Sequence, residues 1–435
     1  MAVFDAERFE RVRTRLPECE GLRRVLVCRD ETESEAETLE RLIGRPEAWA
    51  ELPPVGPPPR EVAPEDDATL FYTSGTTGNA KGVPASHRAT VTPILAGQLS
   101  LARAYVRRGE ALPAPDPTKQ KCGILCIPLF HVTGCFSALF GAMAIGAKVV
   151  LMRRFEPEAA MALVEQERAS QIGGVPTIAW QLLEHPARHK YDLSSLELVA
   201  YGGAPAASEL VRRINIDWPH AHAGCGWGMT ETCATFTHHL GEDYAHRPDS
   251  CGPAIPVAEM KVVDADGKAL APGEVGELWV YGPHVASRYW NKPEATAETF
   301  RDGWLRTGDL ARLDEEGFCY IVDRIKDVII RGGENIYSAE VEDVLYAHPA
   351  VMDAALVPIA HPTLGEEPGA VVTLRPGMQA DETELKAHVR ARLAPFKTPA
   401  RVIIRREPLP RNPNGKILKS ELKRLFEAPD PKANP

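Results

Sequence analysis

A loop rich in glycines and hydroxyls follows an apolar run early in the chain. Leu70–Tyr72 leads into Thr-Ser-Gly-Thr-Thr-Gly-Asn-Ala-Lys-Gly over residues 73–82. Glycines let backbone N–H groups approach an anion, while hydroxyls and an ammonium neutralise its charge, so the loop favours a bound polyphosphate. It differs from the Walker loop, because the sixth position counted from Gly75 is Ala80 and Lys81 is followed by glycine. We therefore expect a nucleotide site unlike that of a P-loop kinase or GTPase.

Two other segments suit the rest of a nucleotide. Asp309 lies in Trp304-Leu-Arg-Thr-Gly-Asp-Leu310, and one carboxylate can accept hydrogen bonds from two vicinal ribose hydroxyls. The small residues of Tyr201-Gly-Gly-Ala-Pro205 offer a flat backbone surface on which a purine could lie. A plainer interpretation also stands for Asp309, because an aspartate after Gly308 is typical of a turn.

Three further segments complete the set of motifs: Gly226-Trp-Gly-Met-Thr-Glu231, Asp323-Arg-Ile-Lys-Asp-Val-Ile-Ile-Arg-Gly-Gly-Glu-Asn-Ile336 and Pro410-Arg-Asn-Pro-Asn-Gly-Lys416. By residue type alone, a core position explains Trp227 equally well and a solvated turn explains Lys416. In their order, however, the six segments resemble the motifs of the adenylate-forming superfamily. That superfamily includes AMP-forming acyl-CoA synthetases, aryl-CoA ligases, firefly luciferase and peptide-synthetase adenylation domains.

The resemblance implies a role for each matching residue. The residues implied to hold the pyrophosphate portion of ATP are Thr73, Ser74, Gly75, Thr76, Thr77 and Lys81. Those implied at the adenine side are Gly203, Ala204, Pro205, Gly226, Trp227 and Gly228. Asp309 and Arg324 would contact the ribose and Thr230 the α-phosphate. Glu231 would hold Mg²⁺, an ion that prefers hard oxygen ligands.

The resemblance places the reacting centre at Lys416. A carboxylate must attack an α-phosphate that is itself negative, and an ammonium bridging the two lowers their repulsion. Lys416 must then leave before a thiol can enter. The resemblance implies that a C-terminal domain rotates about Lys326 to bring Arg331–Asn335 to the site, with Gly332 and Gly333 leaving room for a pantetheine arm.

His131, in Pro128-Leu-Phe-His-Val-Thr-Gly134, falls at the resembled family's position beside the acyl carbonyl. By residue type alone, His131 is also explained as a histidine of the core. This segment contains no aspartate to pair with an ammonium, and a buried unpaired ammonium is costly, so we expect an acid without an α-amine.

The implied reaction first converts a carboxylic acid, here a fatty acid, and ATP into acyl-AMP and pyrophosphate. The acyl group of acyl-AMP then passes to the thiol of CoA, which gives the thioester and releases AMP. ATP, Mg²⁺ and CoA are the implied cofactors and co-substrates. Two alternatives stay open: transfer to a carrier-protein thiol, and a nucleotide-binding regulatory protein without turnover.

The elements that position these residues follow from hydrophobic patterning. Up to about Trp218, strand-like runs alternate with helix-like runs, which favours a largely parallel sheet covered by helices. The predicted strands are Val25–Cys28, Gly123–Ile127, Lys148–Met152 and Leu196–Tyr201, and the predicted helices are Cys135–Ile145 and Glu158–Arg168. From Cys251 to Val322, short strands separated by Asp-Gly and Pro-Gly turns predict antiparallel pairing.

Beyond Asp323 the pattern changes again. Ser338 and Asp381 are placed to cap helices, with strands at Ala354–Pro358 and Ala370–Leu374 between them. The predicted fold class is α/β. A large N-terminal domain of helix-covered sheets spans 1–323 and includes an antiparallel β subdomain at about 225–322. A small, mobile α+β C-terminal domain spans 324–427 and a tail spans 428–435.

Composition excludes several other classes. A chain of 435 residues is too long for one core, and 44% hydrophobic with 25% charged residues is typical of a globular protein. Fifty Lys and Arg against sixty Asp and Glu give a net charge of −10, so nucleic acid is not an expected partner. Nine scattered cysteines without a CxxC pair favour a reducing, cytoplasmic compartment. Pro128 and Thr133-Gly134 interrupt the uncharged stretch Cys122–Ala147, so we expect no transmembrane segment.

Thr73 also comes earlier in this chain than the phosphate loop does in the resembled family. We therefore expect a chain that is short at its N-terminus relative to that family. This leaves open a partner protein covering the region, and also a homodimer. It is the basis of the regulatory alternative.

Overall fold

The computed structural model describes residues 1–29, 36–56, 59–73, 80–112, 114, 116, 118–204, 206–412 and 415–427. The chain divides into two compact units, residues 1–62 and 63–435. The first contains, in order, β1 (Ala2–Asp5), α1 (Ala6–Val12), β2 (Val25–Cys28), β3 (Glu37–Thr38) and α2 (Leu39–Ile43). Its three strands form a parallel sheet, and the predicted strand Val25–Cys28 is confirmed.

The second unit opens with an antiparallel hairpin and continues as a parallel α/β sheet. Its first elements are β4 (Asp67–Tyr72), β5 (Gly82–Ser86), α3 (His87–Arg107), β6 (Cys122–Leu125), α4 (Gly141–Ala144), β7 (Lys148–Leu151), α5 (Pro157–Glu167), β8 (Gln171–Gly174), α6 (Pro176–Glu184), β9 (Leu198–Gly202), α7 (Ser208–Asp217), β10 (His222–Gly226), β11 (Gly228–Met229), β12 (Ala234–Thr235), β13 (His239–Leu240) and α8 (Gly241–His246). The strand order is β13-β10-β9-β8-β6-β7, parallel except for β13. Helices α5, α6 and α7 bury Met161, Leu183 and Leu210 against this sheet.

The helix predicted over Cys135–Ile145 is wrong in its type and bounds. The chain makes a π-helical segment at Thr133–Phe140 and only then the short α4. Gly134 lies tightly under the preceding loop, because a Cβ there would come 2.3 Å from the carbonyl oxygen of Pro128. Among the described residues, no helix is both long and apolar enough to cross a membrane.

An antiparallel sheet follows, as the turn pattern predicted. Its elements are β14 (Gly252–Pro253), β15 (Glu259–Val263), β16 (Gly276–Tyr281), α9 (Pro293–Thr299), β17 (Phe300–Arg301), β18 (Trp304–Leu313) and β19 (Phe318–Arg324). The strand order is β14-β19-β18-β16-β15, with β17 paired to β18. The core of the sheet includes Val262, Leu278 and Leu305.

The remaining elements are β20 (Ile329–Arg331), β21 (Glu334–Ile336), α10 (Ser338–Tyr346), β22 (Val351–His361), β23 (Gly365–Leu374), α11 (Glu382–Arg390), β24 (Arg401–Arg405) and α12 (Lys419–Glu427). They form a sheet in the order β21-β20-β23-β22, with β24 parallel to β23. One face of this sheet packs on α10 and α11 and the other on α12. The α/β fold class with a small α+β C-terminal region is confirmed. The boundary at 323/324 stays a prediction, and the tail 428–435 lies outside the described residues.

The two predicted helix caps had different outcomes. Asp381 caps α11, since its carboxylate accepts from the backbone N–H of Glu384 at 2.8 Å. The Ser338 prediction is wrong, because Tyr337 is the N-cap and Ser338 is the first helical residue. The carboxylate of Asp323 instead accepts from the Ser338 N–H, and the Ser338 hydroxyl donates to the Asp327 carbonyl at 3.1 Å.

Candidate active site

The carboxyl ends of β6, β8, β9 and β10 meet at one edge of the parallel sheet. The loops that follow these strands carry, in turn, His131, Val175, Gly203 and Trp227. In open α/β sheets, ligands bind in the crevice outside the carboxyl ends of the strands. This topology therefore brings four loops together, and three of them carry motifs identified in the sequence.

The mouth of the predicted phosphate loop is the β4–β5 hairpin. The Thr73 N–H donates to the Lys81 carbonyl at 2.9 Å, and the Lys81 N–H donates to the Thr73 hydroxyl at 3.3 Å. Ser74, Gly75, Thr76 and Thr77 lie outside the described residues. The Lys81 ammonium lies 4.6 Å from the ring centroid of Tyr289, a cation–π contact.

The same tyrosine holds the carboxylate of Glu231. Its hydroxyl donates to Glu231 Oε1 at 2.7 Å, and the Glu231 side chain is buried. Burial raises the pKa of Glu231, while the Tyr289 hydrogen bond and the nearby Lys81 and Arg324 act in the opposite direction. Lys81, Tyr289 and Glu231 thus form a continuous chain from the phosphate hairpin to the predicted magnesium ligand.

Thr230 and Glu231 lie in a single 3₁₀ turn, Thr230–Thr232, that follows β11. Two non-glycine residues with positive φ come next, Cys233 at 50° and Ala234 at 81°. Such angles are unfavourable for residues with a Cβ and persist only where the surrounding structure imposes them. The turn bearing these two motif residues is therefore held by its packing.

Asp309 and Arg324 face each other across two strands, since they are paired in the register of β18 and β19. Arg324 Nε lies 3.2 Å from Asp309 Oδ1, and the indole N–H of Trp227 donates to Asp309 Oδ2 at 2.9 Å. Burial raises the pKa of Asp309, and Arg324, Trp227 and Lys416 oppose that rise. Trp227, predicted on the adenine side, also orients the predicted ribose carboxylate.

Small residues at and just beyond the carboxyl ends of β9 and β10 form a wall. A Cβ at Gly202 would come 2.7 Å from the Gly226 carbonyl oxygen, and one at Gly228 only 1.5 Å from that of Ala234. Gly203 has a φ of 74°. Ala204 follows it, and Pro205 lies outside the described residues. Gly202 and Gly228 therefore leave no room for a larger side chain, whereas no atom of the described residues lies within 4 Å of a Cβ placed on Gly203.

Lys416 lies in a turn that packs on the carboxyl edge of the parallel sheet. Its neighbour Gly415 has a φ of 80°, and a Cβ there would come 2.7 Å from Val175 Cγ2. Burial, and then the nearby Arg324, lower the pKa of Lys416 to about 8, while Asp327 and Asp309 act to raise it. The turn therefore places Lys416 in the electrostatic environment of the predicted ribose contacts.

His131 is half-buried in the loop after β6, beside the buried Val132. Its Nδ1 accepts from the Thr133 N–H at 3.2 Å, and burial lowers its pKa. A neutral imidazole is therefore the favoured form. The sequence itself contains no Asp or Glu from residue 128 to residue 134.

Lys326 lies in a 3₁₀ turn, Ile325–Asp327, directly after β19, and burial lowers its pKa. Gly332 and Gly333 form the two-residue loop of the β20–β21 hairpin, with φ of 58° and 90°. Positive φ at both positions is what a tight hairpin of this kind requires. Gly332 bonds through its N–H to the Leu364 carbonyl, within the C-terminal sheet.

Two residues of the candidate site lie outside the sequence motifs. Tyr289 lies in Ser287-Arg-Tyr-Trp290, and Val175 directly precedes a proline that begins α6. Neither segment shows a spacing of reactive side chains. Their importance depends on loop packing, which no local pattern reports.

Comparison with known proteins agrees with this geometry. A family model described as AMP-binding enzyme matches residues 2–290, and one described as AMP-binding enzyme C-terminal domain matches residues 340–416. A feruloyl-CoA synthase of Amycolatopsis sp is 38% identical over 373 residues, which are 85% of this chain and 72% of that protein. A long-chain-fatty-acid–CoA ligase of Bacillus subtilis (strain 168) is 36% identical over 83% of this chain and 62% of that protein. The solved structure of the amide bond synthetase McbA from Marinactinospora thermotolerans is 32% identical with a TM-score of 0.80, covering 98% of this chain and 80% of that one.

Proposed function

We propose an acid substrate and a role for each site residue. The premise is that this chain belongs to the AMP-binding enzyme family and is an AMP-forming acid–thiol ligase that uses CoA. The proposed acid is a fatty acid without an α-amine. The observation that carries the residue roles is the convergence of Lys416, the Asp309–Arg324 pair and the Glu231–Tyr289–Lys81 chain on the carboxyl edge of one sheet.

In the first half-reaction, a carboxylate oxygen of the acid attacks the α-phosphorus of ATP. The bond from that phosphorus to the bridging oxygen of pyrophosphate breaks, and acyl-AMP forms. Thr73 and Lys81 bind the departing pyrophosphate portion, with Ser74, Gly75, Thr76 and Thr77 in the same loop. Lys416 bridges the two reacting anions, where a preformed positive charge is most effective.

Glu231 is the proposed magnesium ligand and would hold the ion near the phosphates of ATP. The buried carboxylate of Glu231 supplies a hard oxygen donor of the kind that this ion prefers, so the residue fits it. Bound magnesium would neutralise phosphate charge. Tyr289 orients Glu231 by donating to one carboxylate oxygen.

Nucleoside recognition is proposed for the wall formed by Gly203, Ala204, Gly226 and Gly228, together with Pro205 and Trp227. Asp309 accepts from the ribose hydroxyls, and Arg324 fixes the orientation of that carboxylate. Because Asp309 is already held by Trp227 and Arg324, little reorganisation is needed when ATP binds.

In the second half-reaction, the sulfur of CoA attacks the acyl carbonyl carbon. The bond between that carbon and the phosphate oxygen of AMP breaks, AMP leaves, and the thiol proton passes to solvent. We propose that the region after Arg324 rotates about Lys326 between the two steps, with Gly332 and Gly333 beside the pantetheine arm. His131 would lie beside the carbonyl as a neutral imidazole.

A second candidate acid is an aryl-propenoic acid. It is favoured by the 38% identity with a feruloyl-CoA synthase, whereas the fatty acid is favoured by the 36% identity with a long-chain-fatty-acid–CoA ligase. Both acids lack an α-amine, which fits a segment 128–134 that has no carboxylate to pair with an ammonium.

A competition assay tests the proposal. Purified protein is incubated with ATP, Mg²⁺, CoA and an equimolar pool of straight-chain fatty acids, ferulic and coumaric acids, and amino acids, and the thioesters are identified by mass spectrometry. We expect fatty acyl-CoA with matching AMP. Aryl-CoA as the main product selects the second candidate, and an aminoacyl product contradicts both. Replacing CoA with a phosphopantetheinylated carrier protein tests the alternative acceptor.

A further inference from the structure

The turn that carries Lys416 is closed by its own hydrogen bonds. The Leu418 N–H donates to the Pro410 carbonyl at 2.8 Å, and Arg411 pairs with Ile417 in an isolated antiparallel bridge. Asn412 and Lys416 exchange two bonds of 2.9 Å, one of them from the Lys416 N–H to the Asn412 side chain. These local bonds determine the shape of the turn but not its orientation on the rest of the molecule.

The orientation is determined at the first stem by Arg411. One guanidinium nitrogen of Arg411 donates to the Gly415 carbonyl at 2.6 Å, immediately before Lys416, and the other pairs with Asp353 of β22. Asp353 is in turn held by the Tyr346 hydroxyl at the end of α10. Arg411 therefore connects the turn directly to β22 and, through Asp353, to the end of α10.

The second stem is anchored by Lys419, the first residue of α12. Its ammonium lies 2.8 Å from Glu342 Oε1, and the same oxygen accepts from the Leu356 N–H at 2.8 Å. Burial opposes the charge on Lys419, but Glu342 and Asp323 outweigh it and raise the pKa of that lysine. The carboxylates of both stem pairs are each only 12% exposed.

Two ion pairs in such sites are a poor way to gain stability. Desolvation of both charges offsets most of their attraction, and apolar residues of similar size usually serve as well or better. What an ion pair supplies here is a fixed direction and distance at each stem. The Arg411 guanidinium binds two acceptors and so restricts the direction of the first stem, whereas the Lys419 ammonium fixes the position of the second stem.

We propose that Arg411 and Lys419 are positioning residues that hold the Lys416 turn in the orientation needed for adenylate formation. This rests on the proposed function, because it assigns Lys416 to the first half-reaction. The mechanism requires the ammonium to bridge two anions, and a displacement of about 1 Å can cost about a hundredfold in rate. The second half-reaction does not use Lys416, so it should be insensitive to the same changes.

The test compares the half-reactions in full-length Arg411→Met, Arg411→Lys and Lys419→Met proteins. Adenylate formation is followed as acid-dependent exchange of pyrophosphate into ATP, and thioester formation is followed from supplied acyl-adenylate and CoA. For Arg411→Met we expect exchange to fall about a hundredfold, with thioester formation within about twofold of the parent. Arg411→Lys should be intermediate, because an ammonium cannot serve both acceptors. Arg392→Met, an exposed arginine at the end of α11, is the matched control.

A second readout does not depend on catalysis. The pH dependence of Lys416 acylation by a small anhydride, quantified by peptide mass spectrometry, reports the pKa of this lysine. In the parent we expect about 8, and in Arg411→Met a shift towards the ordinary lysine value as the turn loosens and the ammonium is hydrated. An unchanged profile, or equal losses in both half-reactions, overturns the positioning role.

Lys416→Ala separates the two hypotheses. If this variant keeps the parental exchange rate, the proposed role of Lys416 fails, and the acylation profile still decides whether Arg411 positions the turn. If it loses exchange while Arg411→Met retains it, the positioning role fails and the proposed function stands.

Discussion

The ammonium of Lys416 is a titrating group near neutral pH in this protein. Burial, and then Arg324, lower its pKa to about 8. A lysine is charged below its pKa, so adenylate formation that needs the ammonium should be level well below pH 8, fall to half near pH 8 and approach about a tenfold decline for each further pH unit. Exchange of pyrophosphate into ATP at low substrate concentration, from pH 6.5 to about 9.5, measures this profile for the free enzyme.

Bound substrates should move the same inflection upwards, because their negative charges favour the ammonium. At saturating ATP and acid the decline should therefore begin at a higher pH than at low substrate. Lys416→Arg, which stays charged throughout, should give a lower but flat profile. An inflection that persists in Lys416→Arg would assign it to another group.

Tyr289 makes a specific contribution that the motifs do not reveal. Tyr289→Phe removes the hydroxyl that donates to Glu231 at 2.7 Å while keeping the ring under the Lys81 ammonium. A buried carboxylate that loses a donor has its pKa raised further, and leaving it unsatisfied costs about 1–3 kcal/mol. We expect a lower free energy of unfolding and about a tenfold higher magnesium concentration for half-maximal adenylation.

Tyr320→Phe is the matched control, since its hydroxyl donates to Asp314, a carboxylate outside the site, at 3.1 Å. That variant should keep the parental magnesium dependence. A Tyr289→Phe protein with the same magnesium curve as Tyr320→Phe would show that the bond to Glu231 has no part in holding the ion.

At the scale of elements, the contact between the Lys416 turn and the sheet edge rests on one glycine. Gly415→Ala adds a Cβ at 2.7 Å from Val175 and strains a φ of 80°, which together displace the turn. We expect adenylate formation to fall at least about tenfold. Gly273→Ala is the control for backbone strain, because Gly273 has a φ of 88° with open space at its Cβ position.

Val175→Ala should partly restore exchange in the Gly415→Ala protein, because it removes the clashing methyl and leaves only the backbone strain. Both half-reactions and the unfolding midpoint are measured in each variant. If the double variant is no better than Gly415→Ala, strain rather than the contact with Val175 accounts for the loss.

Elements were predictable where periodicity and turn residues agreed. The strand Val25–Cys28 and the Asp381 cap occur as the sequence indicates. The predictions failed where groups distant in sequence determine the local structure. The Asp323 carboxylate accepts the hydrogen bond from the Ser338 N–H. The segment Thr133–Phe140 is π-helical, and Gly134 within it packs closely under Pro128. No local pattern contains these contacts.

The site shows the same division. Asp309 and Arg324 could be assigned by resemblance, but their pairing depends on a register irregularity between Leu310 and Ala311 that the sequence does not reveal. Tyr289 could not be assigned, because its hydroxyl reaches Glu231 only through the fold of an irregular loop. Identity of reactive residues is thus more predictable than the partners that orient them.

At the scale of the whole molecule, the region after Arg324 also contacts helices α6 and α7, which cover the parallel sheet. Arg375 pairs with Glu184 of α6, and its guanidinium lies 5.2 Å from the ring centroid of Trp180. Asp343 accepts from the Ser208 N–H at 3.2 Å, at the start of α7. A rotation of this region between the half-reactions would have to break these contacts.

The Glu184–Arg375 pair therefore tests the proposed rotation. If it exists only in the adenylate-forming arrangement, Glu184→Gln and Arg375→Gln should each shift the population away from that arrangement, lowering pyrophosphate exchange by about fivefold without slowing thioester formation from supplied acyl-adenylate. Glu184 also pairs with Arg213, so the double variant is needed to isolate the coupling between Glu184 and Arg375. Glu197→Gln, whose carboxylate pairs with Lys121 elsewhere, should leave both half-reactions unchanged. Equal losses in both half-reactions would mean that the pair stabilises a single fixed arrangement, and one arrangement could not present both Lys416 and a thiol to the same carbonyl.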